Sequence, residues 1–274
     1  MPKSLEILKI PTSAGPIQAG FGTPDGTGPH PAVIVLQEAF GFTQQILGVG
    51  RRLVDAGYAV VIPDLYSRDP LRHELTDKDV ALGFPISRAT DRKAALAELS
   101  PQEQAIARKV IAWLDQRDAS QYLSDSLAAI EWARQEPSIA RNRIAALGFC
   151  MGGGLVGQIA THGAPIQAGI LFYGQIPPPD SIPRIRMPLL GQFAEHDPSI
   201  TPKVPDFART LSLLGTPFSW SIHPGTRHGF FNETRDAYHA QASKSAWIHL
   251  LDFLDTHLHP HLQLEPQTQG TATR

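Results

Sequence analysis

The 274-residue chain holds a single cysteine, Cys150, so an intramolecular disulfide is excluded, and a lone thiol suits a reducing compartment. Neither sign of charge dominates. Lys and Arg number 24 and Asp and Glu 26, for a net charge of −2, which offers no broad field to nucleic acid or anionic lipid. Long apolar runs are missing too: no segment approaches the ~18 residues of a membrane-spanning helix. Met1–Ile10 lacks the apolar stretch and small-residue cleavage site of a secretory signal. There is no G-x-G-x-x-G loop, no G-x-x-x-x-G-K loop and no internal repeat. These absences lead us to expect a soluble cytoplasmic protein, monomer or homodimer, that needs no cofactor or metal and binds neither nucleic acid nor membrane.

What is present is an alternation of short apolar runs and helical patterns. Leu5–Ile10 and Ile17–Phe21 read as an antiparallel opening hairpin. Ala32–Gln37 (AVIVLQ), Tyr58–Pro63 and Ile144–Phe149 read as strands buried on both faces, and Ala168–Tyr173, Pro188–Phe193 and Phe218–His223 complete the strand set. Helical patterns cover Gln44–Ala56, Pro101–Gln116, Ser120–Arg134, Met151 to about His162, Val204–Leu214 and Arg235–Leu258. Strands separated by helices of this length predict parallel pairing through right-handed crossovers. The expected architecture is one α/β domain over residues 1–259, a doubly wound, mostly parallel sheet with helices on both faces. Ser67–Ser100, with Pro70, Gly83 and Pro85, breaks the rhythm and is expected to be an irregular lid or binding segment. Residues 260–274 are expected to form a polar, disordered tail.

The sharpest motif is Gly148-Phe149-Cys150-Met151-Gly152, between a strand and a helix. It fits G-x-C-x-G, a nucleophile elbow with cysteine in the serine position, and small residues must flank so tight a turn. Gly153 and Gly154 extend the clearance. The thiol would project above the carboxyl ends of the strands at a helix N-terminus, a setting that favours thiolate. The backbone N–H of Met151 would point toward a developing oxyanion. A base and an orienting acid should follow in the order nucleophile, acid, histidine. Asp197, after the Pro188–Phe193 strand, is the acid, with Glu195 as competitor and Asp206 displaced onto a helix. His228, on the turn after Phe218–His223, is the base, ahead of His223 and His196.

Together these motifs, with Gln37-Glu38-Ala39-Phe40-Gly41, Pro63-Asp64-Leu65-Tyr66 and His228-Gly229-Phe230, resemble the dienelactone hydrolase family of the α/β-hydrolase fold, from about Pro31 to Leu258. The resemblance implies a carboxylic ester hydrolase of carboxymethylenebutenolidase type, with Cys150 as nucleophile, Asp197 as acid and His228 as base. It also implies that Glu38 contacts the resting thiol and takes part in its activation, and that Ala39 N–H is the second oxyanion donor. The family's two carboxylate-binding arginines correspond here to Gln102 and Asn232, neither of them charged. Arg68 and Arg227 are the candidate replacements, so neutral or differently shaped esters and lactones stand beside a dienelactone as substrates. Phe84, Trp113 and Asn232 are further candidate pocket residues. The His257-Leu258-His259-Pro260-His261 run lacks a cysteine or a carboxylate at ligand spacing and reads as a helix end, not a metal site. The rival function is a non-catalytic scaffold that binds a small molecule or senses redox state through Cys150, which would have no need of an acid–histidine pair.

Overall fold

The computed structural model describes residues 5–259. Eight strands run β1 Glu6–Ile10, β2 Ile17–Gly22, β3 His30–Leu36, β4 Ala59–Pro63, β5 Ile139–Phe149, β6 Ala168–Phe172, β7 Leu189–His196 and β8 Phe218–Arg227. They form one sheet in the order β1-β2-β4-β3-β5-β6-β7-β8. The β1–β2 and β2–β4 pairs are antiparallel and the rest parallel. β3 lies between β4 and β5, so the winding reverses there. The loops leaving β3 and β5 diverge and open a crevice at the carboxyl ends of the strands.

Side-chain alternation explains why the central strands read as continuous apolar runs. Along β3, Ala32, Ile34 and Leu36 enter one core, shared with Val110 and Trp113 of α5 (Pro101–Asp115), Ile130 of α6 (Ala119–Gln135) and Leu155 of α7 (Met151–Thr161). Val33 and Val35 enter the other, with Leu53 of α1 (Gln44–Asp55) and Leu250 and Leu254 of α9 (Ala240–Leu258). A strand covered on both faces has no polar positions to show. Among the described residues no helix is long and apolar enough to cross a membrane.

Four boundaries depart from the sequence reading. β5 starts five residues early, because Arg141 and Asn142 are exposed although they belong to the strand. β7 and β8 run on to His196 and Arg227, which pair with each other beyond a register shift; their last residues are polar, so the apolar pattern ends before the ladder does. α9 begins at Ala240, capped by His239 through Nδ1, and not at Arg235. The largest difference is Ser67–Ser100, which is mostly helical: α2 Pro70–His73, α3 Asp77–Ser87 and α4 Arg92–Ala97. Thr76 and Asp79 form a capping box at the start of α3, and Asp91 caps α4. Gly83 allows α3 to press against Val110 of α5: a Cβ there would lie 2.4 Å from that of the valine. Pro85 sits inside α3 without ending it. Residues 260–274, for which a disordered tail was expected, lie outside the described residues.

Candidate active site

The crevice is built on the elbow. Cys150 has φ 53° and ψ −112°, in the left-handed half of backbone space, and its N–H donates to Phe172 O at 3.0 Å. Two glycines make this turn possible. A Cβ on Gly148 would lie 2.0 Å from Gly152 O, and one on Gly152 would lie 2.3 Å from Leu36 O. Gly154 is less constrained, its nearest neighbour standing 3.6 Å from a Cβ.

Sheet register brings the candidate acid and base together. His196 and Arg227 are paired across β7 and β8, so the next residue on each strand, Asp197 and His228, emerge side by side. Asp197 is buried, and its Oδ2 lies 2.6 Å from His228 Nδ1, while Oδ1 accepts from Ser199 Oγ at 2.9 Å. Burial would lower the imidazole's pKa, but hydrogen bonds to Asp197 and to the Cys150 thiol outweigh it and push His228 up to about 10. Burial also opposes ionisation of Asp197, but the bond to His228 holds its carboxyl below the usual range. The competitors lie elsewhere. Glu195 accepts from Gly225 N at 2.7 Å, Asp206 is on α8 (Val204–Leu213), and His223 is buried against Gln192 at 2.6 Å, with burial holding it down to about 4.

Cys150, His228 and Asp197 line a cleft of about 480 Å³, together with Ala39 and Met151. Met151 is the first residue of α7 and has no helical acceptor, and Gly152 N and Gly154 N are already spent on Gln37 O and Cys150 O. Among the described residues, the Ala39 and Met151 amides have no hydrogen-bond acceptor, so both are free to serve an anionic oxygen in the cleft. Tyr66 braces this pair, its hydroxyl 3.4 Å from Ala39 O and 3.3 Å from Met151 Sδ.

Glu38 is buried beside the site, and burial raises its pKa. Its Oε1 accepts from Tyr173 Oη at 3.1 Å and its Oε2 from Asn232 Nδ2, and neither oxygen bonds the sulfur. The hydrogen bonds of Glu38 thus run to Tyr173 and Asn232, and the expected bond to the thiol is not among them. Tyr173 itself sits at φ 39° just past β6, with its ring edge-on to His228 at 5.1 Å.

The remaining sequence candidates divide. Phe84 of α3 lines the cleft. Trp113 does not: it is buried below, donating to Asp69 Oδ2 at 2.7 Å and packed against Tyr66. Asn232 is also buried and faces Glu38, not the cleft. Gln102 is exposed on the first turn of α5. Arg227 is exposed and reaches Asp236 O at 3.4 Å. Arg68 turns away toward the β1–β2 turn, binding Gly15 O at 2.7 Å and Asp125 Oδ2 at 2.6 Å. Asp125 is fully buried, so removing its cation strands a charge. Arg68→Ala is expected to cost about 3 kcal/mol in urea denaturation while leaving the cleft geometry intact.

Two cationic residues escaped the sequence reading. Arg88, at the end of α3, and Arg117, after α5, both line the cleft. Neither is paired with a carboxylate of the described residues: Arg88 lies over Phe84, and Arg117 over Trp113 with Nη1 4.0 Å from Met151 Sδ. Gln158 and Gln175 add neutral polar groups to the wall.

Comparison with known proteins bears on the family and the fold. The chain is 31% identical over 246 residues to the "Putative carboxymethylenebutenolidase" of Saccharolobus solfataricus, covering 87% of this chain and 93% of that one. It is 26% identical over 257 residues to a protein of the same name from Methylorubrum extorquens, covering 90% and 79%. Among solved structures, the "Putative Dienelactone Hydrolase" of Klebsiella pneumoniae subsp. pneumoniae superposes with a TM-score of 0.72 at 24% identity over 91% of this chain and 97% of that one. The dienelactone hydrolase of Anabaena variabilis does so with a TM-score of 0.61 at 16% identity over 94% and 100%. These likenesses identify the wound sheet as an α/β-hydrolase fold. The profile of the dienelactone hydrolase family matches residues 17–258, nearly the whole described chain, and the protein belongs to that family.

Proposed function

We propose that this protein hydrolyses esters or lactones through a thioester on Cys150. The observation that carries the reading is the convergence on one cleft of the Cys150 thiol, an Asp197-oriented imidazole and two unspent backbone amides. The Cys150 thiolate attacks the carbonyl carbon, and the amides of Met151 and Ala39 hold the resulting oxyanion. Losing one such donor costs on the order of 3 kcal/mol in the barrier. On collapse the C–O bond breaks, and the departing alkoxide or enolate takes the proton of the His228 imidazolium. The neutral imidazole then removes a proton from water as it attacks the thioester, which restores imidazolium and thiolate and releases the acid. No step needs a metal or an organic cofactor, and a lone thiol nucleophile fits a cytoplasmic setting.

His228→Ala separates the two halves of the cycle. With a short-chain aryl ester, this variant is expected to acquire one acyl group on the peptide containing Cys150 and then stall, as read by intact-protein and peptide mass spectrometry. Wild-type multiple turnover by His228→Ala, or an acyl group located elsewhere, would refute the scheme. Alkylation of the thiol without ester turnover in the wild type would instead favour a redox-sensing scaffold.

The relatives' name, carboxymethylenebutenolidase, describes a lactone carrying a carboxylate. Arg88 and Arg117 give the cleft the charge that Gln102 and Asn232 withhold, and this supports an anionic substrate over a neutral one. The Arg88→Gln/Arg117→Gln double variant is expected to raise KM roughly tenfold for a carboxylate-bearing ester and less than about twofold for a neutral ester of the same size. Equal changes for both esters would remove the charge argument.

A further inference from the structure

Two side chains close to Asp197 and His228 in sequence have no part in the proposed chemistry, Glu195 and Thr226. Both sit where β7 and β8 change register. The parallel ladder runs in step through Ala194 and His223 and resumes at His196 and Arg227. Between these pairs β7 has Glu195 alone, whereas β8 has Pro224, Gly225 and Thr226, so β8 bulges by two residues. The bulge decides which residue meets Asp197. Continued without it, the register of Ala194 with His223 would set Asp197 beside Thr226. The extra residues bring His228 there instead, and its Nδ1 lies 2.6 Å from Asp197 Oδ2. Re-aiming a side chain is what bulges beside active sites do.

A bulge takes backbone groups out of the ladder, and they need other partners. Pro224 has no N–H to satisfy. Gly225, at φ 71°, donates its N–H to Glu195 Oε2 at 2.7 Å. Thr226 is only 1% exposed, and its hydroxyl is used in both directions. Oγ1 donates to His223 O at 2.6 Å, across the base of the bulge, and accepts from Glu195 N at 3.4 Å, on the other strand. The two side chains are thus reciprocal: each accepts from the backbone of the strand that carries the other. Thr226 is the buried half of this clasp and Glu195 the half-exposed one. β7 is anchored besides by Thr201 Oγ1, which donates to Ala194 O at 2.6 Å.

We propose that Thr226 and Glu195 are positioning residues, which lock the β7–β8 bulge and so hold the His228 imidazole on Asp197. Neither touches the substrate. Their effect is geometric: one residue of a strand spans about 3.3 Å, so a bulge that relaxes toward the plain register carries the imidazole off its acid. A misplacement of about 1 Å is already costly in rate. The proposal rests on the reading of Asp197 and His228 as acid and base of the hydrolysis, but the bond they share can be observed without turnover.

The test is proton NMR of the substrate-free protein in the cold, where the proton between His228 Nδ1 and Asp197 Oδ2 is expected to resonate far downfield of the amides. His228→Gln identifies it by its loss. Thr226→Val keeps the shape and removes the hydroxyl. It is expected to abolish this resonance or move it toward the amides, and to lower kcat for a neutral aryl ester roughly tenfold or more with KM within about twofold. Thr226→Ser is expected to restore both. Glu195→Ala is expected to move the resonance in the same direction, and Glu195→Gln, whose amide oxygen still accepts from Gly225 N, to keep it. A merely structural hydroxyl would cost stability and leave the resonance of the folded fraction where it was. A folded Thr226→Val protein with the wild-type resonance would overturn the proposal, as would an unchanged kcat after its loss, or a Thr226→Ser protein that lacks it. So would an unmoved resonance in Glu195→Ala, which decides the matter alone if Thr226→Val does not fold. A wild type without the downfield proton has no fixed bond to position, and that too would overturn it. A resonance that follows these variants in a protein without ester turnover would support the clasp and count against the hydrolytic reading.

Discussion

Replacing Cys150 by alanine is expected to lower the turnover of a short-chain aryl ester by roughly 10⁴-fold or more, with KM little changed. The substitution removes one sulfur and leaves the rest of the site standing. Asp197 still orients His228, and Ala39 and Met151 still present their amides, so the residual rate measures what positioning and the oxyanion donors achieve with water as nucleophile. The fold should tolerate it. The backbone at position 150 is held at φ 53° by the N–H bond to Phe172 O and by the clearance of the flanking glycines, and alanine suffers no more in that conformation than cysteine does. Thermal denaturation and near-ultraviolet circular dichroism check that the variant is native. Cys150→Ser is the closer comparison. The hydroxyl is nearly isosteric but far less acidic than the thiol, so an imidazole suited to an ion pair with sulfur is a poor base for it. We expect the serine variant to lie much nearer to Cys150→Ala than to the wild type. Wild-type rates in either variant would end the case for sulfur as nucleophile.

The centre of the fold and the residues that meet at the cleft could be read from the chain because both are written locally. AVIVLQ has no polar alternation because β3 is covered on both faces, by α5, α6 and α7 on one side and by α1 and α9 on the other. The elbow is legible because its glycines and its cysteine fall within five consecutive residues. Asp197 and His228 could be found by chain order alone, although the reason they meet, the pairing of His196 with Arg227, lies in a polar extension that the apolar pattern does not reveal. What could not be read depends on how distant surfaces come together. Arg88 and Arg117 reach the cleft from two separate helix ends, and no local signal marks either as facing the site. Arg68 follows β4 closely enough in sequence to suggest the cleft, but the chain carries it to the buried Asp125 instead. Asn232, judged by position, reads as a missing cation; its amide is spent on the buried Glu38. Pro85 and Gly83 suggested an irregular segment, whereas the glycine is there for the close approach of α5 and the capping box outweighs the proline.

Gly148→Ala is expected to be the most damaging glycine-to-alanine change among the described residues. The added Cβ would lie 2.0 Å from Gly152 O and 2.6 Å from Gly153 N, both of them backbone atoms that no rotamer change can move. To make room, either the end of β5 or the first turn of α7 has to shift. β5 is hydrogen-bonded between β3 and β6, and α7 is pressed in turn against β3, where Gly152 passes so close that its own Cβ would lie 2.3 Å from Leu36 O. The displacement therefore propagates into the sheet, and a loss of roughly 3 kcal/mol or more is expected in chemical denaturation. Whatever fraction still folds carries Cys150 and the Met151 amide out of place, and a misplacement on the order of 1 Å costs about 10²-fold in rate. Gly154→Ala is the control one turn further on. Nothing lies nearer than 3.6 Å to its Cβ, and alanine is the better helix former by about 1 kcal/mol, so stability should hold or rise. If the two variants proved equally stable, the tight passage between β3, β5 and α7 would not be what holds the nucleophile in place.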